Sequence, residues 1–159
     1  MSRLHRNSEA EKLFERAGKE WARKNLRSAL RLFRAAAKAG DRGALLNIGY
    51  FYDKGVGVRR NSLAALYWYK EAWRHGDSAA ANNIGTIWRD KQEMKRALAW
   101  FHKAADLGHD GANLEIAKHY LRNERHPKKA KVYLNKVVQS NRVSESENEE
   151  ARQILDSLE

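Results

Sequence analysis

Four similar segments recur along this chain of 159 residues, and no other feature of the sequence constrains the fold as much. The segments begin at Ala29, Ala65, Ala97 and Ala130, which are spaced 36, 32 and 33 residues apart. Large apolar residues follow each alanine at three and four positions, and an alanine or valine follows at seven. Offsets of 0, 3, 4 and 7 lie on one face of an α-helix. The pattern therefore predicts four amphipathic helices.

A second predicted helix precedes each of these four, and a small residue marks its register. The markers are Gly18, Gly49, Gly85 and Ala117, each followed three positions later by an aromatic residue. A glycine inside a helix costs ~1 kcal/mol relative to alanine. Because glycine recurs here at one register, we expect a close approach between two helices at that point.

The ends of the repeats carry residues that stop one helix and start the next. A glycine or asparagine stands eleven positions after each alanine of the pattern, at Gly40, Gly76, Gly108 and Asn141. These residues accept the left-handed conformation that commonly follows a helix. An aspartate follows each glycine by one or two positions, at Asp41, Asp77 and Asp110. We predict that each aspartate caps the next helix.

The second unit resembles the Sel-one-like repeat family of the tetratricopeptide-like superfamily. Residues 44–61 read ALLNIGYFYDKGVGVRRN, which is similar to that family's Ala- and Gly-marked helix, aromatic residue and Gly-Val-Gly-Val loop. Residues 65–72 continue like the family's second helix. The third unit lacks the glycine loop and looks like an ordinary tetratricopeptide repeat. The resemblance covers roughly residues 10–140.

The repeat pattern and the resemblance together predict an all-α fold. We expect an α-α superhelix, a right-handed solenoid of four helix-turn-helix repeats plus a C-terminal capping helix, forming a single domain over residues 1–159. The expected helix pairs span 8–23 with 27–39, 42–53 with 62–75, 78–89 with 93–107, and 110–122 with 127–139. The corresponding repeats cover about 8–40, 41–76, 77–108 and 109–141, and the capping helix covers about 145–158.

Several function classes find no support in the sequence. The chain has no cysteine, which excludes disulfides, thiol catalysis and cysteine-based zinc sites. No apolar run approaches the ~18 residues of a membrane span, and no secretory signal precedes the repeats, so we expect a cytoplasmic location. The histidines lack metal-ligand spacing, and no acid–base or nucleophile constellation occurs. We therefore expect neither catalysis nor a cofactor.

The charge of the chain is strongly basic and unevenly distributed. The net charge is +11, yet residues 144–159 hold six acidic residues and one arginine, which leaves +16 on the other 143 residues. Basic clusters fall at the turns of the helix pairs, within residues 23–27, 59–60, 89–96 and 122–131. Such a body attracts nucleic acid, acidic protein or anionic surfaces, although ordinary solvated turns have the same composition.

The resemblance implies a non-catalytic scaffold that binds a partner protein or peptide in a concave groove lined by the first helix of each pair. The candidate partner-binding residues are Leu46, Tyr50, Asn82, Thr86, Arg89, Leu114, Lys118 and Arg122. Their amide and cationic groups favour an extended or acidic segment. Two alternatives stay open. One is a basic helical-repeat protein that binds nucleic acid, and the other is a small immunity or regulatory protein that blocks a toxin or enzyme.

Two further features bear on binding. Tyr50 and Tyr67 fall off the predicted core stripe and are therefore free to contact a partner. The acidic segment formed by Glu145, Glu147, Glu149 and Glu150 caps the array in the simplest interpretation. A second interpretation has the same segment compete for the groove, within the molecule or across a dimer.

Overall fold

Helices make up nearly all of the described chain. The structure is a computed structural model that describes the backbone of residues 3–158 and the side chains of residues 9–158; residues 1, 2 and 159 of the predicted domain lie outside it. Within this part there are nine α-helices and no strand. They are α1 (Arg3–Ala22), α2 (Leu26–Ala39), α3 (Gly43–Lys54), α4 (Ser62–Arg74), α5 (Ser78–Asp90), α6 (Met94–Asp106), α7 (Ala112–Arg122), α8 (Pro127–Gln139) and α9 (Glu145–Asp156). The predicted all-α fold of helix pairs is confirmed, although α1 begins five residues earlier than predicted.

The described helices divide into two compact units, with the boundary between Asp77 and Ser78. In the first unit α1 packs against α2, α2 against α3, and α3 against α4. In the second unit the same neighbour-to-neighbour packing runs from α5 to α9. The assignment of residues 1–159 to a single domain stays a prediction.

The second helix of each pair buries the face that the repeat predicts. Its alanine and the residues four and seven positions later are at most 3% exposed in all four helices. These buried residues are Ala29, Phe33 and Ala36; Ala65, Tyr69 and Ala72; Ala97, Phe101 and Ala104; and Ala130, Leu134 and Val137. The residues at offset three are half-buried. The buried stripe is therefore narrower than the pattern alone indicates.

The expected close approach of helices occurs at two of the three glycine markers. A Cβ atom built at Gly85 would lie 2.7 Å from the ring of Phe101, and one built at Gly49 would overlap the ring of Tyr69. Gly18 differs, because its Cβ would meet nothing within 4 Å. The neighbouring Ala17 is the residue of α1 that is buried in the core of the first unit. Ala17 corresponds to Ile48, Ile84 and Ile116, which are also fully buried, so the register is the same and the close approach predicted at Gly18 is wrong.

Most of the predicted helix ends are also observed. Gly40, Gly76 and Gly108 have φ angles of 105°, 86° and 86°, in the left-handed region. The carboxylate of Asp41 accepts a hydrogen bond of 2.9 Å from the backbone N–H of Ala44, in the first turn of α3. Pro127 occupies the start of α8, where its missing N–H leaves no helical bond unmade.

The predictions for Asn141 and Asp110 are both wrong. The backbone of Asn141 is not left-handed, and the residue that follows α8, Ser140, has an extended backbone. The Asp110 carboxylate is not a helix cap. It accepts hydrogen bonds from the Ser140 hydroxyl at 2.6 Å and from Nε of Arg142 at 3.0 Å. This contact holds the segment between α8 and α9 against the start of α7.

The turns inside three of the helix pairs contain left-handed residues that are not glycine, which no sequence pattern predicts. Lys24, Gln92 and Arg125 have φ angles of 64°, 62° and 49° at the turns of the first, third and fourth pairs. The second pair uses Gly55 and Gly57 instead. The Gly-Val-Gly-Val loop is thus a structural turn, and Gly57 also lies so close to Leu26 that a Cβ atom would not fit.

Helix α9 covers the apolar side of α7 and α8. Its N-terminus has a capping box, in which the Ser144 hydroxyl accepts from the Glu147 N–H and the Glu147 carboxylate accepts from the Ser144 N–H. Ala151 is fully buried in a cluster with Leu114 and Leu134. The acidic segment is therefore part of a helix that caps the apolar faces of the second unit.

Alanine substitutions at the three glycines should separate the close contacts from helix propensity. Gly49→Ala and Gly85→Ala should each lower the free energy of unfolding by about 1–3 kcal/mol, because the added methyl group overpacks an aromatic ring. Gly18→Ala should raise it by up to about 1 kcal/mol, since alanine is the better helix former and the space is open. Urea unfolding of the three variants checks this, and equal effects at all three positions would contradict it.

A charge placed under α9 should destabilise the second unit. Ala151→Asp puts a carboxylate among apolar side chains and should cost about 2–4 kcal/mol. Gln153→Asp is the matched control, because it adds the same charge at an exposed position of the same helix. Thermal melting followed by circular dichroism checks the pair. A melting temperature that falls equally in both variants would show that charge, rather than burial, is responsible.

Candidate functional site

A cleft in the second unit brings together three of the predicted partner-binding residues. It is bounded by the end of α5, the start of α6 and the second half of α7, and its cavity measures about 110 Å³. Apolar groups from α6 form part of its wall, and Arg89, Lys118 and Arg122 contribute cationic groups. The remaining lining residues are Met94, Ala97, Leu98, Phe101, Glu115, His119 and Asn123.

Two of the three cations of the cleft, Arg89 and Lys118, meet on one carboxylate. Nη1 of Arg89 lies 2.6 Å from Oε2 of Glu115, and Nζ of Lys118 lies 3.4 Å from Oε1 of the same residue. Lys118 also contacts Oε1 of Glu150 on α9, at 2.7 Å. The ionic chain therefore runs from α5 through α7 to α9, and the acidic segment does reach a predicted binding residue.

The environment of Arg89 keeps its guanidinium charged. Partial burial disfavours the charge, but the hydrogen bond and the negative charge of Glu115, together with Asp90, outweigh it and raise the pKa of Arg89. The side chain is 39% exposed, so solvent reaches it alongside Glu115. Arg89 is thus a permanent cation at the edge of an apolar cleft.

The other predicted binding residues lie in different surroundings. Asn82 and Thr86 are half-buried on α5. Leu46 and Tyr50 belong to α3 of the first unit, where Tyr50 is 37% exposed and contacts the ring of Trp21.

Leu114 does not face a partner. It is 3% exposed and packs in the cluster that includes Ala151 of α9. The sequence placed Leu114 on the groove side from its position relative to Ala117, but α9 covers that part of α7. This prediction is therefore corrected.

Glu115 is the residue of the cleft that sequence reasoning missed. It organises both Arg89 and Lys118, although it is neither a repeat position nor part of a basic cluster. One signal was present, because Glu115 stands three residues before Lys118, a spacing that lets helical side chains pair. Its contact with Arg89, 26 residues away, had no sequence signal.

Several cations of the basic turns are engaged within the protein. Nε of Arg60 donates to the backbone carbonyl of Asp53 at 2.8 Å. The guanidinium of Arg96 lies 4.7 Å from the ring centroid of Trp88, and the ammonium of Lys129 lies 5.1 Å from that of Tyr120. These contacts stabilise the turns and reduce the number of cations that a ligand could use there.

The part of the chain that the structure describes offers neither a metal-binding cluster nor a membrane-spanning helix. No group of three or more His, Asp or Glu side chains in that part is arranged to hold a metal ion, and the side chain of His5 lies outside it. No helix among residues 3–158 has the length and apolar character to span a bilayer.

Three consecutive stretches of the chain, residues 15–41, 43–77 and 79–109, match the model of the Sel1 repeat, and they cover more than half of its length. The chain belongs to the Sel1 repeat family. The second match contains the whole pair of α3 and α4, and the third contains α6 and all but the first residue of α5. The first match contains α2 and only residues 15–22 of α1. The Sel1 matches stop before α7, although α7 and α8 pack as a pair of the same kind.

Solved and curated proteins agree with this assignment. A Sel1 repeat protein from Oxalobacter formigenes is 26% identical, with a TM-score of 0.66 over 81% of this chain and 52% of that one. The protective antigen c5321 of uropathogenic Escherichia coli, which has an SLR fold, is 18% identical, with a TM-score of 0.77 over 94% of this chain and 34% of that one. It supports the fold alone.

A putative Sel1-like repeat-containing protein, L21, from Acanthamoeba polyphaga mimivirus is 29% identical over 76 residues. The match takes in 48% of this chain and only 14% of that protein. The chain therefore spans a small part of this curated relative and about half of the Oxalobacter protein. Sel1 repeat proteins are generally interaction scaffolds.

Proposed function

We propose that this Sel1 repeat protein is a non-catalytic interaction scaffold, and that the cleft between α5, α6 and α7 binds an acidic segment of a partner protein. The observation that carries the proposal is the convergence of Arg89 and Lys118 on Glu115 beside an apolar wall. The cytoplasmic location expected from the sequence remains part of the same proposal.

The size of the cleft favours a side chain over a cofactor. Pockets for small molecules and cofactors are typically about 300–1,000 Å³, and this cavity is about 110 Å³. Its wall includes Leu98 and Phe101, which suit one apolar side chain of a bound segment. We expect this apolar side chain to lie next to a carboxylate of the same bound segment, and we expect the cations around the cleft to bind that carboxylate.

The electrostatics favour an anionic ligand that replaces an internal one. Glu115 is 21% exposed and remains with Arg89, whereas Glu150 is 47% exposed and reaches Lys118 from the surface. Arg122 makes no ion pair among the described residues. An incoming carboxylate that displaces Glu150 would therefore meet two cations, Lys118 and Arg122, on the same helix face.

Selection of short random peptides displayed on phage tests the proposal without knowledge of the natural partner. We expect the enriched peptides to carry an acidic residue close to an apolar one. In titration calorimetry with a synthetic enriched peptide, Lys118→Ala/Arg122→Ala should weaken binding at least tenfold, because hydrogen bonds to charged groups contribute about 1.5–3 kcal/mol. Enriched peptides without acidic residues would refute the proposed ligand class.

The matched control removes two cations that lie near the cleft but do not line it. Lys91 is exposed in the turn between α5 and α6, and Lys95 is exposed in the first turn of α6. Lys91→Ala/Lys95→Ala should bind the peptide with the affinity of the unchanged protein. Thermal melting verifies that both double variants fold. Equal loss of binding in the two variants would show that net charge, rather than the cleft, holds the peptide.

Substitutions on α9 should reveal whether Glu150 competes with the ligand. Glu150→Gln removes the carboxylate from Lys118 and should increase the affinity for the acidic peptide several-fold. Glu149→Gln is the control, since Glu149 is exposed and contacts Gln153 rather than Lys118. The same calorimetric titration measures both. Unchanged affinity after Glu150→Gln would mean that α9 only caps the helices.

A further inference from the structure

The outer side of α2 carries a row of cations that the cleft does not use. Arg27, Arg31, Arg34 and Lys38 are all exposed, at helical offsets of 0, 4, 7 and 11. They lie opposite the apolar stripe that α2 buries in the first unit. The helix contains no acidic residue. The row is therefore a continuous positive ridge about 16 Å long, given 1.5 Å of rise per residue.

Helix α4 carries two further cations and two exposed apolar residues at the positions that correspond to this row. The positions one repeat length of 36 residues later are Leu63, Tyr67, Lys70 and Arg74. Leu63 is 77% exposed and Tyr67 is 58% exposed, with the Tyr67 ring held edge-on against Trp68 at 5.2 Å. We call the basic face the set formed by Arg27, Arg31, Arg34, Lys38, Tyr67, Lys70 and Arg74.

Most cations of the basic face are available to a ligand, whereas Arg74 is paired with Glu71. Arg27, Arg31, Lys38 and Lys70 make no ion pair with any described residue. Arg34 donates to the hydroxyl of Tyr52 at 2.8 Å, a neutral partner that leaves its charge uncompensated.

The same asymmetry appears in the charge of the whole chain. Residues 1–77 hold 17 Lys and Arg against 8 Asp and Glu, whereas residues 78–159 hold 14 against 12. Each of α6 and α8 has one Lys or Arg at the positions that correspond to the basic face, which are Lys95, Ala99, His102 and Asp106 in α6 and Lys128, Val132, Asn135 and Gln139 in α8. The concentration of cations is thus a property of the first unit and not of the repeat.

We propose that the basic face binds a single-stranded nucleic acid. Consecutive arginines on one helix side are about 5–6 Å apart, and each guanidinium can pair with a phosphate through two hydrogen bonds. The exposed ring of Tyr67 provides a platform on which an unpaired base can stack. A cationic row beside an exposed aromatic ring is the combination that holds a single strand without reading its sequence.

Other anionic partners fit this face less well. A membrane-surface helix inserts an apolar side into the lipid, but the apolar side of α2 is buried in the core through Ala29, Phe33 and Ala36. An acidic helix can match this spacing with carboxylates, but it does not supply the successive bases that stack on an exposed ring such as that of Tyr67. A phosphate backbone supplies charges in a line.

Fluorescence anisotropy with a fluorescein-labelled oligouridylate, at several salt concentrations, tests the proposal. We expect a Kd in or near the range of about 10⁻⁴–10⁻⁶ M at physiological salt. Arg27→Ser/Arg31→Ser/Lys38→Ser should weaken binding at least tenfold. It should also reduce the slope of log K against log salt by about 2, since each lost phosphate contact removes about 0.7 on a single strand.

The control variant Lys91→Ser/Lys95→Ser/Lys128→Ser removes the same charge from exposed positions of the second unit, and it should retain most of the affinity. Equal weakening by the two triple variants would overturn the proposal in favour of unspecific attraction. Tyr67→Ala should weaken binding about tenfold, and Tyr67→Phe should not. An unchanged affinity in Tyr67→Ala, or tighter binding to phosphatidylserine vesicles than to the oligonucleotide, would also overturn it.

Discussion

The packing of an aromatic ring of one helix on a glycine of its partner sets the geometry of the central helix pairs. Tyr69 and Phe101 are almost completely buried, and each lies where a Cβ atom at Gly49 or Gly85 would be. The ring can be buried only because the glycine leaves that space empty. In the fourth pair the corresponding residues are Leu134, which is smaller than an aromatic residue, and Ala117, which is larger than glycine. The size of one residue is thus matched by the size of the other.

Local periodicity explains why most of the fold was predictable. The helix pairs, the buried stripe of each second helix and the left-handed glycines all depend on residues within one repeat, which the sequence displays four times. Two of the errors, for Asp110 and Leu114, involve contacts that cross between repeats. The role of Asp110 is decided by Arg142, 32 residues later, and the burial of Leu114 is decided by the docking of α9. Periodicity contains no information about such contacts.

The candidate cleft shows the same division between residue types and their arrangement. The sequence was enough to predict that Arg89, Lys118 and Arg122 are cations on the first helices of their pairs. It was not enough to predict that Glu115 pairs with both Arg89 and Lys118, because Arg89 lies on a separate helix. The basic face was missed for another reason. Arg27 was grouped with its neighbours at the turn, although its helical relation to Arg31, Arg34 and Lys38 was present at offsets of 4, 7 and 11.

The small residue in the middle of α9 relates this helix to the repeats before it. Ala151 stands 34 residues after Ala117, one repeat length, and it is buried in the cluster formed with α7 and α8, as a marker residue would be. Helix α9 therefore takes the position that the first helix of a repeat takes, with Glu149, Arg152, Gln153 and Asp156 among its exposed polar residues. It packs on α8 as α3 packs on α2 and as α7 packs on α6. One type of helix contact thus serves each of these junctions within the two units.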